Sequence, residues 1–143
     1  MEDGETRVLA VARAVVSLLH EEAALAAPLE CCGLLLGPAR DHVTRALPAA
    51  NVAADPRRRF EIDPRALLDA HRAERAGGER VLGYYHSHPA GAPVPSATDR
   101  ENSTGDLRIW AIIGAGQVAF WRDSGNGFVE QSWRRVDDDP GGV

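Results

Sequence analysis

The sequence predicts an α/β fold in which helices pack against a sheet to form a sandwich. Apolar residues near the start of the chain recur at helical spacing, and short apolar runs bounded by glycine are typical of buried strands. Helical segments stand before, between and beside those runs. With 143 residues, 44% apolar and 26% charged, the chain is predicted to form one domain, residues 1–136. The tail 137–143 is expected to be disordered.

The first half of the chain is predicted to contain a helix, a strand pair and a second helix. Residues 6–26 are assigned to the first helix because their apolar side chains follow a helical period. The run 32–36 is typical of a buried strand, and residues 43–47 are a possible partner. Asp63 followed by Pro64 is a favourable helix start, and two glycines end that helix after about residue 76.

The second half is predicted to be richer in strands. Residues 80–85 form a short apolar strand, and Ser96 begins a helix. Three later segments with glycine-containing turns are assigned to strands, residues 107–113, 117–122 and 128–135.

The segment His86-Ser87-His88, followed eleven residues later by Asp99, indicates a metal site. Side chains two residues apart on a strand point to the same face, roughly 6–7 Å apart, so both imidazoles can reach one ion while Ser87 points away. Prolines and Gly91 force a loop, after which the first turn of a helix can return Asp99 as a third ligand. Three protein ligands leave one coordination position open, as in catalytic zinc sites.

Two simpler interpretations of the same residues remain open. Ser96-x-x-Asp99 is a capping-box pattern, which needs no metal. Two histidines beside a loop can also be ordinary exposed side chains. Capping and ligation are compatible, because Ser96 can begin the helix while its hydroxyl faces the site.

Glu30 is the candidate proton carrier for hydrolysis at such a site. It directly precedes the apolar strand at 32–36. A carboxylate at the entrance of a core strand is costly unless it has a partner or a chemical role. Its simpler interpretation is an ordinary glutamate at the edge of a strand.

Taken together, Glu30 before Cys-Gly-Leu-Leu-Leu-Gly, then Gly-Tyr-Tyr-His-Ser-His-Pro, then Pro-Ser-x-x-Asp, resembles the JAMM (MPN+) zinc metalloproteases. The likeness is greatest to the compact prokaryotic members. It covers most of the chain, and all five characteristic positions are filled: Glu30, His86, His88, Ser96 and Asp99. The resemblance implies the MPN fold, a cytidine deaminase-like α/β/α sandwich around a mixed, mostly antiparallel sheet.

The resemblance also implies a role for each residue. His86, His88 and Asp99 would hold one zinc ion. Glu30 would deprotonate the attacking water and then protonate the departing amine, while Ser96 would donate a hydrogen bond to the oxyanion.

The implied substrate is the amide that follows the C-terminal Gly-Gly of a ubiquitin-like protein. The leaving group stays open: a lysine side chain, a C-terminal extension of the precursor, or an amino acid carried on a sulfur-carrier protein. E1-like or E2-like conjugation enzymes encoded nearby are possible partners.

Other functional classes fit the sequence less well. A non-catalytic scaffold of the same fold would usually lack ligands that are present here. A structural zinc site would need a fourth protein ligand, for which no cysteine or histidine near the motif is an obvious candidate. Zinc nucleobase deaminases carry Pro-Cys-x-x-Cys, which this chain does not contain.

Composition and charge restrict the setting. A net charge of −5 argues against nucleic acid as a partner. No apolar stretch is long enough to cross a membrane, and no secretory leader is recognised. The two cysteines, Cys31 and Cys32, are adjacent and provide no disulfide framework, so they are predicted to be core residues of a cytoplasmic protein.

Overall fold

A computed structural model describes residues 7–137, which form two sheets and three helices. The helices are α1 Arg13–Ala26, α2 Pro64–Arg75 and α3 Ala97–Glu101. The strands are β1 Leu9–Ala12, β2 Cys32–Gly37, β3 His42–Val43, β4 Arg45–Ala49, β5 Arg80–His88, β6 Ile109–Gly114, β7 Gln117–Ser124, β8 Gly127–Gln131 and β9 Trp133–Val136. Within these residues, no helix has both the length and the apolar character needed to traverse a bilayer.

The larger sheet has six strands in the order β4-β2-β5-β6-β7-β8. Only β5 and β6 run parallel in it, while each of the other neighbouring pairs is antiparallel. The smaller sheet, β3-β1-β9, is parallel. The mixed, mostly antiparallel sheet expected from the resemblance is therefore confirmed, and β5 lies near its centre.

Helices cover opposite faces of the larger sheet. Side chains alternate between faces along a strand, so neighbours in β2 belong to different cores. Leu35 packs in the larger core, which includes α1 residues, and Leu34 packs in the smaller core, which includes α2 residues. On β5, Tyr85 joins the α1 side and Tyr84 the α2 side. His86, two residues after Tyr84, therefore lies on the α2 face.

The predicted start and stop of α2 are confirmed. The Asp63 side chain accepts a hydrogen bond from the backbone N–H of Arg65, and Pro64 is the first helical residue. Gly77 ends the helix with a φ of 95°, a conformation that glycine adopts without steric cost.

The first predicted helix is partly wrong. Residues 9–12 form β1 rather than the start of a helix, and only Arg13–Ala26 is helical. Leu9 and Val11 are fully buried, and β1 pairs with β3 and β9 from distant parts of the chain. Such non-local pairing outweighs the local apolar period, which cannot distinguish a short buried strand from a helix.

Other predicted strands have different boundaries. Segment 43–47 is divided between β3 and β4, of which only β4 pairs with β2. Segment 128–135 is divided between β8 and β9, which belong to different sheets. The sixth strand begins at Ile109 because Leu107 has a φ of 67°. Residues 138–143 of the predicted tail lie outside the described residues.

Candidate active site

Three side chains converge at the end of β5. The Nε2 atoms of His86 and His88 lie 3.1 Å apart. Asp99 Oδ2 lies 3.1 Å from His86 Nε2 and 3.2 Å from His88 Nε2. His86 and Asp99 are buried and His88 is largely so. The structure therefore brings together the three residues that the sequence nominated as ligands.

The spacing of these atoms fits a metal ion. In a tetrahedral site with bonds of about 2.0–2.1 Å, ligand atoms lie about 3.3 Å apart, which is close to the sides of this triangle. Two imidazole nitrogens and one carboxylate oxygen are a donor set that suits zinc. Three such electron-rich atoms repel one another unless protons or a cation lie between them. The cluster can therefore hold one metal ion.

The orientation of His88 is fixed by the loop that follows it. His88 Nδ1 lies 2.8 Å from the Ala92 carbonyl oxygen. Because a carbonyl can only accept, Nδ1 carries the proton, and Nε2 of the neutral ring offers its lone pair to the cluster. Burial would lower the pKa of His88, but its contacts with Asp99 and with the Ala92 carbonyl raise it.

His86 is oriented by aromatic rings instead. Its Nδ1 has no hydrogen-bond partner among the described residues. The ring of Phe60 stacks on it with centroids 4.2 Å apart and planes 17° apart, and Trp110 meets it edge-on at 5.7 Å. Burial lowers the pKa of His86, which keeps the ring neutral and able to bind metal. Sequence reasoning missed Phe60, which lies in an irregular segment with no motif.

Asp99 serves both interpretations of the Ser96-x-x-Asp99 pattern. The backbone N–H of Ser96 donates to Asp99 Oδ2 at 2.9 Å, and the N–H of Asp99 donates to Ser96 Oγ at 3.0 Å, which completes a capping box. The same Oδ2 faces both histidines. Burial would raise the pKa of Asp99, but its contacts with the imidazoles of His86 and His88 hold it well below its usual range. The carboxylate is therefore charged and ready to bind a cation.

The loop between His88 and Ser96 is held in place at several points. Trp121 donates its Nε1–H to the Pro93 carbonyl at 3.0 Å. Gly114, at the end of β6, lets the loop approach, since a Cβ there would collide with the carbonyl of Gly91. Ser96 is half-buried, and its oxygen already accepts from Asp99. Its hydroxyl hydrogen is therefore free to donate into the site.

Glu30 lies beside the cluster, with 7% of its surface exposed. Its Oε1 is buried and has no hydrogen-bond partner among the described residues. Burial raises the pKa of Glu30 from the ordinary 4.5 to about 7, with His88 opposing the rise and Asp99 adding to it. A carboxyl group with that pKa can both accept and release a proton near neutral pH.

Hydrogen bonds to the backbone of Glu30 and Cys31 hold this segment between β5 and the residues before α2. The N–H of Cys31 donates to Ser87 Oγ at 2.9 Å, and the N–H of Ser87 donates to the Cys31 carbonyl at 3.2 Å. The N–H of Glu30 donates to the Pro56 carbonyl at 2.8 Å, and Asn51 Nδ2 donates to the Glu30 carbonyl at 3.0 Å. Ser87 points away from the metal cluster, as expected, and its hydroxyl holds the backbone of Cys31, the residue after Glu30.

The chemical groups meet in one cleft of about 250 Å³. Glu30, His88 and Ser96 line it, together with Arg57, Arg58 and the start of the loop after His88. A larger groove of about 600 Å³ is lined by Phe60, Tyr84 and Trp110 among others. The smaller cleft contains the candidate proton carrier, one candidate ligand and the candidate hydroxyl donor, and is therefore where a scissile bond could be placed.

The remaining histidines and both cysteines lie outside this cluster, and the cysteines are core residues, as predicted. Cys31 and Cys32 are free and buried, and burial raises the pKa of the Cys32 thiol to about 12. Such thiols are protonated and unreactive. Residues His20, His42 and His71 are half-buried and take no part in the metal cluster.

The family described as prokaryotic homologs of the JAB domain matches residues 12–135 of this chain. The chain belongs to this JAB (JAMM, MPN+) family. Solved JAB1/MPN domain proteins share its fold, which confirms the α/β architecture implied by the resemblance.

Several curated relatives of this JAB protein carry functional names, including a desampylase and a conjugate cleaving protease. It is 38% identical over 120 residues to a desampylase of Haloferax volcanii, covering 82% of this chain and 86% of the relative. It is 38% identical over 92 residues to a probable TtuB-protein conjugate cleaving protease of Thermus thermophilus, covering 64% of this chain and 61% of the relative. A solution structure from Desulfitobacterium hafniense is also similar, with a TM-score of 0.81, 27% identity and coverage of 94% and 97%.

Proposed function

We propose that this JAB protein is a zinc-dependent peptidase that cleaves after the C-terminal Gly-Gly of a ubiquitin-like protein. The observation that carries the proposal is that His88, which belongs to the cluster with His86 and Asp99, lines the same cleft as Glu30 and Ser96. The names of the two curated relatives support the substrate class. Residues 1–136 are proposed as one catalytic domain.

In the proposed site, His86, His88 and Asp99 hold the zinc ion. Bound there, zinc supplies a Lewis acid that polarises the scissile carbonyl and lowers the pKa of water. The ligands are preorganised for the ion. The carboxylate is charged, and the two imidazoles point their Nε2 atoms toward a common position.

Glu30 moves the proton in this proposal. Its carboxylate takes a proton from the attacking water, and its raised pKa lets it hold that proton at neutral pH. The same carboxyl group then delivers the proton to the nitrogen of the departing amine. Ser96 donates its free hydroxyl hydrogen to the oxyanion that forms at the carbonyl carbon.

The substrate is proposed to be a ubiquitin-like protein or a sulfur-carrier protein with a Gly-Gly end. Its leaving group is a lysine side chain, a precursor extension or an amino acid, and E1-like and E2-like enzymes are the expected companions. Because its two cysteines are free and buried, we expect the protein to work in the reducing cytoplasm.

The experiment that tests the proposal is cleavage of a fusion. A ubiquitin-like protein of the same genome, ending in Gly-Gly, is joined to a reporter and incubated with the zinc-loaded protein, with and without a chelator. We expect chelator-sensitive cleavage after the second glycine. No cleavage by protein that contains one zinc per chain would refute the proposed substrate class.

The Glu30→Gln variant tests the proton carrier separately. We expect it to retain zinc and lose cleavage by at least about a hundredfold, the lower range for a general acid–base. Glu101→Gln is the matched control, because it removes the same charge from an exposed position on α3. A Glu30→Gln protein with most of its activity would contradict the assignment.

A further inference from the structure

Two arginines line the catalytic cleft without a role in the proposed chemistry. Arg57 and Arg58 belong to the run Arg57-Arg58-Arg59, which the sequence alone leaves as either a partner-facing patch or a solvated loop. The structure places the first two at the same cleft as Glu30, His88 and Ser96. Positive charge is thus held next to the position of the scissile bond.

The turn that carries these arginines is tied to Glu30. The backbone N–H groups of Arg58 and Arg59 donate to the Asp55 carbonyl, which closes the turn. The Pro56 carbonyl within the turn accepts from the N–H of Glu30 at 2.8 Å. Asn51 bridges the two segments, since its Nδ2 also donates to the Arg59 carbonyl at 3.1 Å. The arginines are therefore placed relative to the catalytic carboxylate by the backbone.

The charges of both arginines are largely available to a ligand. Among residues 7–137, no carboxylate lies within 4 Å of the Arg57 side chain, and the one near Arg58, Asp55, is 3.9 Å away and half-exposed. The carboxylate of Glu30 is not their partner either, because neither guanidinium is among the charged groups that act on it. In a chain of net charge −5, this is a local concentration of positive charge.

We propose that Arg57 and Arg58 form a subsite for a carboxylate of the substrate, adjacent to the bond that is cleaved. Guanidinium groups bind carboxylates through paired, charge-assisted hydrogen bonds. Two substrate groups share this chemistry. One is the free carboxylate of a leaving amino acid, and the other is an acidic side chain just before Gly-Gly. The inference rests on the proposed function, since it assigns specificity at the same site.

Two pairs of fusions separate these sources. In the first pair, a ubiquitin-like protein ending in Gly-Gly carries one alanine as leaving group, with a free carboxylate or a carboxamide. In the second pair, the residue before Gly-Gly is glutamate or glutamine and the leaving group is uncharged. Each fusion is cleaved by the zinc-loaded protein, by R57Q/R58Q, and by R134Q/R135Q, which removes two exposed charges from β9.

We expect the carboxylate member of one pair to be cleaved about fivefold faster in kcat/KM, the upper range for an exposed ion pair. This preference should disappear in R57Q/R58Q, persist in R134Q/R135Q, and weaken in 1 M salt because of screening. The pair that shows the preference identifies the source of the carboxylate. Equal cleavage of the two members of each pair by the unmodified protein would overturn the proposed subsite. If none of the four fusions is cleaved, the proposed function is refuted and the inference with it.

Discussion

Replacing Glu30 by glutamine should stabilise the metal-free protein in a pH-dependent way. The pKa of this buried carboxyl is about 7 in the folded protein, against 4.5 for an ordinary glutamate. Between these two pH values the unfolded chain releases its proton while the folded chain keeps it. The free energy of unfolding contributed by this group is therefore highest below pH 4.5 and falls as the pH rises through 7.

The expected magnitude follows from the two pKa values. Each pH unit between them is worth about 1.4 kcal/mol, so the charged carboxylate costs the folded state about 3 kcal/mol above pH 7. Glu30 is only 7% exposed, so solvent screens little of this cost. Glutamine carries no charge at any pH, so the substitution removes this free-energy cost. Its different hydrogen bonding changes stability by a constant amount that does not depend on pH.

The assay is urea unfolding in the presence of a chelator, followed by tryptophan fluorescence from pH 4 to pH 8. The difference in unfolding free energy between Glu30→Gln and the unmodified protein should grow by about 3 kcal/mol in favour of the variant across that range. Glu101→Gln should show no such growth. If the difference in unfolding free energy between Glu30→Gln and the unmodified protein stays constant with pH, burial does not raise the pKa of this carboxyl group.

Three further substitutions test the surroundings of the cluster. Asp99→Ala should lower zinc affinity at least tenfold, measured by competition with a coloured chelator, because it removes the charged oxygen at one corner of the ligand triangle. Unchanged affinity would exclude Asp99 as a ligand. Phe60→Leu should weaken zinc binding about tenfold, as expected when a group that orients a ligand is lost. Phe128→Leu is the control and should not weaken it, because Phe128 contacts Trp110 but not His86. Equal effects of the two substitutions would assign both rings to general packing. Ser87→Ala should reduce the free energy of unfolding by about 1–3 kcal/mol, since it leaves the buried N–H of Cys31 without an acceptor. It should also lower kcat while the zinc content stays unchanged. An unaltered kcat would show that Ser87 does not position Glu30.

The metal cluster was predictable because its residues are close in sequence and follow strand geometry. His86 and His88 alternate on one strand, and Asp99 returns in the first turn of a helix that Ser96 begins. Glu30 was singled out because a carboxylate before a buried strand needs a reason, and the structure places it at the cleft beside His88. Its role as proton carrier stays a prediction. The residues that hold these groups were not predictable in the same way. Phe60 lies in an irregular segment, and only the folded chain brings its ring onto His86.

The sequence-based prediction of the fold is wrong where pairing between distant segments decides the structure. Val11 fits a helical period with its neighbours, yet it is buried in a strand between two partners from distant parts of the chain. The segment 128–135 has the composition of one strand, but it is interrupted at Ser132. The part before Ser132 joins the larger sheet as β8, and the part after it joins the smaller sheet as β9. Local pattern identifies that a segment is apolar, but for a short segment it does not decide between helix and strand. It does not identify which sheet the segment will join.

A single oxygen atom, Asp99 Oδ2, both caps the start of α3 and faces the two imidazoles. Occupancy of the metal position and placement of the Ser96 hydroxyl are consequently linked equilibria. Linkage is reciprocal, so a substrate that engages Ser96 must strengthen metal retention by the same factor by which the metal strengthens substrate binding. The protein would then release its metal most readily when idle and least readily during turnover.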